Sequence, residues 1–192
     1  LVGNFDADGS MLDHRPDRKQ GWGRLDLDAV INPENRLETV DQTKLFHATG
    51  ESWIWAFTPE DPDVPMRIML AWTDAPGPGT GGTNLALTND LDLLANAGGS
   101  RFYGNSINIS TGFSEAGRGP DDMNNLEGVL LSPDQHAGQP VTVEVLAANL
   151  AADALDPWSP EAGVTRQDFA LACVNCSRAA GFTLETGDYE TP

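Results

Sequence analysis

Two carboxylates, Asp90 and Asp92, stand two residues apart in the run Asn89-Asp90-Leu91-Asp92-Leu93. On a β-strand that spacing turns both side chains to one face, on the order of 7 Å apart. Carboxylates so placed repel one another unless they face water, and a calcium ion that also takes oxygens from nearby loops would relieve the repulsion. A second candidate is Asn4-Phe5-Asp6-Ala7-Asp8-Gly9-Ser10, where Asp6 and Asp8 take the third and fifth positions of a calcium loop and Gly9 the sixth. Its twelfth position is Arg15 and not the bidentate Glu that completes such a loop, so a polar Asx-rich turn is the competing reading. The expected metal ligands are therefore Asp90, Asp92, Asp6 and Asp8, with calcium as the cofactor. Asn89 is a different case. The alternation puts its side chain in an otherwise leucine row, where it must bond to neighbouring backbone or sit at a bulge.

Nucleophilic catalysis has less to work with. The three histidines, His14, His47 and His136, are scattered and expected at the surface, and no serine lies in a G-x-S-x-G elbow. No catalytic residue is assigned. Cys173-Val174-Asn175-Cys176 is a single CxxC without the second pair of a zinc site, and it ends a β-run where a thioredoxin-type motif would precede a helix. A local disulfide of an exported protein and two free thiols are the remaining readings. Trp158, in a Pro-flanked loop, and Tyr103 are the candidate platforms for stacking on sugars.

The elements that must position these residues are mostly strands. Apolar residues alternate at Trp53, Trp55 and Phe57, at Met66, Ile68, Leu70 and Trp72, at Leu85, Leu87, Leu91 and Leu93, at Val141, Val143 and Val145, and at Phe169, Leu171 and Cys173. Weaker strands are expected at Ser100 to Tyr103 and Leu126 to Leu131. The spacing predicts an all-β chain, a jelly roll or β-sandwich of about seven or eight antiparallel strands. A short loop-helix segment comes first, with one or two helical turns over Leu25 to Ile31 stopped by Asn32-Pro33. The expected division is residues 1–39 as a remnant of a preceding domain with its linker, 40–177 as the jelly roll and 178–192 as a tail.

Composition narrows the function. The chain has 192 residues, with 29 Asp and Glu against 11 Lys and Arg, a formal charge of −18. Nucleic-acid binding draws its affinity from cations that neutralise phosphates, so this charge argues against it, and anionic lipid would be repelled as well. No stretch reaches the roughly 20 apolar residues of a membrane helix. The N-terminus, LVGNFDADGS, lacks the basic and apolar regions of a signal peptide and is expected to be the interior of a longer precursor. Lys19 and Lys44 are the only lysines. Such an acidic, lysine-poor surface suits solubility, a salty or extracellular habitat, or clustered calcium sites.

Six stretches carry a resemblance. Gln20-Gly21-Trp22-Gly23-Arg24-Leu25-Asp26-Leu27 is similar to the G-W-G-R segment that closes the catalytic domain of many subtilisin-like serine proteases. Met69-Leu70-Ala71-Trp72-Thr73-Asp74-Ala75-Pro76 and Leu87-Thr88-Asn89-Asp90-Leu91-Asp92-Leu93 resemble the L-x-W-[ST]-D-x-P and L-x-N-D-L-D-L blocks in the C-terminal jelly roll of large bacterial alkaline subtilases. Tyr103-Gly104-Asn105, Asn124-Asn125-Leu126-Glu127 and Val141 to Ala147 resemble later landmarks of that domain, in the same order.

The resemblance implies a secreted, often calcium-stabilised serine endopeptidase as the parent. Its D-[ST]-G, H-G-T and G-T-S-M-A motifs do not occur here, and Asp74 is followed by Ala75-Pro76, so the catalytic triad would lie outside this chain. The expected function is a non-catalytic C-terminal domain that stabilises the protease and could bind calcium. Its partners would be the catalytic domain of the same protease and the parent's protein substrates. The alternatives are a module that targets the protease to a polymer, and a pro-region released on maturation. The terminal CxxC is not part of the family pattern.

Overall fold

The structure, a computed structural model, describes residues 16, 19, 21–23, 27–32, 36–77, 87–158 and 161–186. After a one-turn helix α1 (Asp28–Ile31) come β1 (Leu37–Phe46), β2 (Ser52–Pro59), β3 (Met66–Ala71), β4 (Asp90–Ala97), β5 (Ser100–Ile107), β6 (Ser114–Ala116) and β7 (Leu126–Leu131). A second short helix, α2 (Pro133–His136), leads to β8 (Val141–Asn149), β9 (Gln167–Val174) and β10 (Cys176–Thr186). The strands form a four-stranded sheet, β1-β9-β3-β7, and a six-stranded sheet, β10-β2-β8-β4-β5-β6. All the strand pairs are antiparallel. With β6 and β10 set aside, β1-β9-β3-β7 against β2-β8-β4-β5 is the strand order of a jelly roll.

The alternation read from the sequence explains why two sheets form. Trp53, Trp55 and Phe57 of β2, Val141, Val143 and Val145 of β8, and Leu91 and Leu93 of β4 point inward from one sheet. Met66, Ile68 and Leu70 of β3 and Phe169, Leu171 and Cys173 of β9 meet them from the other. Phe169 stacks on Phe46 at 5.3 Å between ring centroids and meets Trp55 edge-on at 6.1 Å. Each large side chain buried here is worth about 1.5–3 kcal/mol relative to exposure.

Among the described residues ten strands stand where seven or eight are expected. β1 was missed because Gln42 takes a positive φ of 49° and the register with β9 shifts between Asp41 and Leu45, which breaks the period-two pattern. β10 continues along β2 to Thr186, past the point at which the apolar pattern fades, with a similar shift between Arg178 and Thr183. β6 is three residues long. β4 begins at Asp90, and Leu85 lies outside the described residues.

Cys173 and Cys176 are joined by a disulfide across the tight link between β9 and β10, where the chain passes from one sheet to the other. Asn175, between them at φ 60°, bonds Asp61 through both its amide oxygen and nitrogen and also donates to Val64 O.

Candidate functional site

Four of the singled-out blocks converge at one place. Asp74 accepts hydrogen bonds from the backbone N–H groups of Thr88 and Asn89, both at 2.8 Å. Trp72 Nε1 donates to Asn89 O at 3.1 Å, so the Trp-Thr-Asp block clamps the turn that delivers Asp90 and Asp92. Asn89 is fully buried and saturated. Its amide nitrogen donates to Ala152 O and Gln167 Oε1, and its oxygen accepts from Ala151 N and Ala152 N. The register of β4 with β8 shifts between Asp90 and Leu91, so Asn89 meets both expectations, backbone bonding and a neighbouring bulge.

The other two blocks enter from β5 and β7. Pairing of β4 with β5 runs from Ala97/Ser100 to Leu94/Tyr103 and ends there. At the next step, Leu93 N donates at 2.7 Å to Glu127 Oε2 of β7. The carboxyl group of one sheet thus takes the place of a ladder bond in the other. Gly104 makes room for it, because a Cβ there would collide with the Glu127 side chain. Asn105, at φ 59°, turns β5 away, accepts from Gly128 N at 3.0 Å, and donates to Leu126 O and to Asp121 Oδ2. Asp121 also accepts from Asn124 Nδ2 and Met123 N, which fixes the loop carrying Asp121 and Asp122.

The product is a carboxylate-rich site with little compensating charge. Burial, then the negative charges of Asp122, Asp121 and Asp74, pushes Asp90 up to about 6. Burial, then Asp90, Asp121 and Asp122, pushes Asp92 up to about 6 against a weak lowering by Arg101. Glu127, fully buried, is pushed up to about 9 by burial first, with the Leu93 N–H opposing and Asp92, Asp121 and Asp90 adding to the rise. Asp90 Oδ1, Asp92 Oδ1 and Glu127 Oε1 are all buried and have no hydrogen-bond partner among the described residues. Buried orphan oxygens are costly, and three that repel one another suit a hard cation with oxygen ligands. Among the described residues no three His, Cys, Asp or Glu side chains already stand in a ligating arrangement, so closing the site on an ion requires these carboxylates to draw together.

Asp90 and Asp92 thus sit together on β4, and Asp92 is buried, only 6% exposed, where the competing reading had both facing water. Asp6 and Asp8 lie outside the described residues. Glu127 was not singled out for chemistry. Its signal was a lone acid in an inward position of an apolar strand, level with Val129 and Leu131. His136 corrects the expectation of surface histidines. It is fully buried at the end of α2, with Nε2 3.1 Å from Val64 O and Nδ1 accepting from Gly138 N. Both ring nitrogens therefore hold backbone. His47 is exposed, and His14 lies outside the described residues. Trp158 is 86% exposed, whereas Tyr103 is half-buried with the Arg101 guanidinium 5.4 Å from its ring centre.

No protein-family model and no curated protein sequence matches this chain.

Proposed function

We propose that this chain is the non-catalytic C-terminal part of a secreted subtilisin-like serine endopeptidase, a jelly roll that stabilises the protease and holds calcium at Asp90 and Asp92 with Glu127. The observation that carries the reading is the convergence of the subtilase-like blocks. Residues far apart in sequence, at Asp74, Asn89 to Asp92, Gly104-Asn105 and Glu127, bond into one buried polar network around unpaired carboxylate oxygens. When bound, the ion would neutralise the repelling carboxylates and tie β4 to β7. A domain that docks only on the native protease shifts its unfolding equilibrium by mass action, strongly so when tethered at high effective concentration.

The test is deletion of residues 40–177 from the intact protease. The expected result is a lower melting temperature or a lower secreted yield. Unchanged stability and secretion contradict the role.

Trp158 supports a second reading, a module that targets the protease to a polymer, because an indole this exposed is a ready stacking surface. That reading predicts retention on insoluble glycans or collagen, lost on Trp158→Ala. No retention of the wild-type chain removes it.

A further inference from the structure

The four-stranded sheet is apolar on its inner side and at the centre of its outer side. Its inner face is core, and strand alternation sends the intervening residues outward. The registers place Thr39, Ala172, Met69 and Gly128 in one row across β1, β9, β3 and β7, with Ala170 and Ala71 side by side in the next. An antiparallel sheet with one face in water normally carries polar residues there. Here small apolar side chains line a groove of about 250 Å³ over β1, β9 and β3, with Thr39 and Asp41 at its β1 margin. Charge on this face sits around that apolar centre, at Asp41, Arg67 and Asp168, and an apolar centre with a charged rim is the make-up of a surface that is covered by a partner.

Part of the cover is present. Trp22 lies on this face over Gly128, where an added Cβ would sit 2.5 and 2.9 Å from the indole ring and 3.0 Å from Met69 Sδ. The glycine is the seat of the tryptophan. The segment that brings Trp22 also carries Leu27, Val30 and Ile31, which are 61%, 55% and 74% exposed. Two apolar surfaces, the sheet face and the α1 segment, are thus joined through Trp22, and among the described residues no further layer covers either.

We propose that the outer face of the four-stranded sheet is the docking surface for the globular domain to which residues 1–33 belong, with Trp22 as the first contact of that interface. This rests on the protease reading above and adds the surface by which the two domains meet. The occupant is an apolar patch on that domain, which would cover Met69, Ala71, Ala170 and Ala172 together with the exposed side chains of α1.

Met69 is a built-in probe, because peroxide oxidises an accessible thioether and mass spectrometry locates the product. Met123, 64% exposed and not among the residues that line the groove, is the internal reference. Oxidation is compared in the 192-residue chain and in the protein extended at its N-terminus by the residues encoded upstream. The expected result is that extension slows Met69 oxidation at least tenfold and leaves Met123 unchanged. Equal Met69 rates in the two proteins overturn the docking surface while leaving the protease reading intact. An upstream sequence without a protease overturns both. Met69 protection that grows with the concentration of the 192-residue chain alone identifies a second copy as the occupant and also overturns the proposal.

Discussion

The side chain of Glu127 fills the space that a side chain at position 104 would need. A Cβ on Gly104 would lie 2.7 Å from Glu127 Cβ and 2.8 Å from its Cδ. The glycine on β5 is therefore what lets a carboxyl group from the opposite sheet reach Leu93 N on β4. Gly104→Ala is expected to destabilise the chain by about 1–3 kcal/mol through overpacking, read as the shift in a thermal or urea midpoint. Gly119→Ala, at a position where an added Cβ meets nothing within 4 Å, should change stability by less than about 0.5 kcal/mol. Equal effects of the two substitutions would contradict the steric account.

Asn89 closes the network from the other side. Asn89→Ala leaves Ala151 N, Ala152 N and Gln167 Oε1 without this partner in a buried place, and the expected cost is about 2–4 kcal/mol by chemical denaturation. A loss under about 0.5 kcal/mol would mean that the network does not hold the turn before β4.

The carboxylates give a pH dependence with a definite sign. Asp90 and Asp92 are raised to about 6 and Glu127 to about 9, so in chelator the native state binds more protons than the unfolded chain across this range. Their contribution is fully present below the unfolded values near 4 and is lost as pH rises through about 6 and then about 9. Melts in chelator should therefore show stability falling from pH 5 to pH 9, and Glu127→Gln should flatten the upper part of that fall. An unchanged slope in Glu127→Gln would contradict the assignment.

Asp153 runs the other way. It is buried, accepts from Arg166 Nε and a terminal guanidinium nitrogen, and is held below its ordinary range, chiefly by that Arg166 hydrogen bond. Its contribution is present above the unfolded value near 4 and lost as pH falls through the lower native value. Asp153→Asn should thus destabilise at pH 7, with the difference from wild type shrinking at pH 2 to 3. A difference constant across that range would contradict the ion pair as the cause.

Much of the sandwich was legible because Trp53, Trp55 and Phe57, or Val141, Val143 and Val145, alternate without interruption, and period two is itself the physical signature of a face buried against a second sheet. β1 escaped because the left-handed Gln42 and the shift after Asp41 throw the alternation out of phase, and no local pattern records which partner strand absorbs such a bulge. Asp90 and Asp92 could be read from their spacing alone. Glu127 could not, since its role depends on Gly104 and on the early end of the β4–β5 ladder, both of which are tertiary facts. Asn105 was likewise visible as a residue of a motif but not as the hinge that bends β5, because its positive φ is set by what it bonds on β7 and the loop.

The central claim is that buried, mutually repelling oxygens at Asp90, Asp92 and Glu127 take a calcium ion in a protease-stabilising domain. Thermal melts of the 192-residue chain in chelator and in low-millimolar calcium, repeated with Asp92→Asn, test it most directly. Binding at about 100 times Kd adds about 2.7 kcal/mol, which for a domain of this size is a rise of several degrees. The account predicts that rise for wild type at pH 7 to 8, its loss at pH 5, and its loss in Asp92→Asn. A melting temperature indifferent to millimolar calcium, or a rise that survives Asp92→Asn, contradicts it.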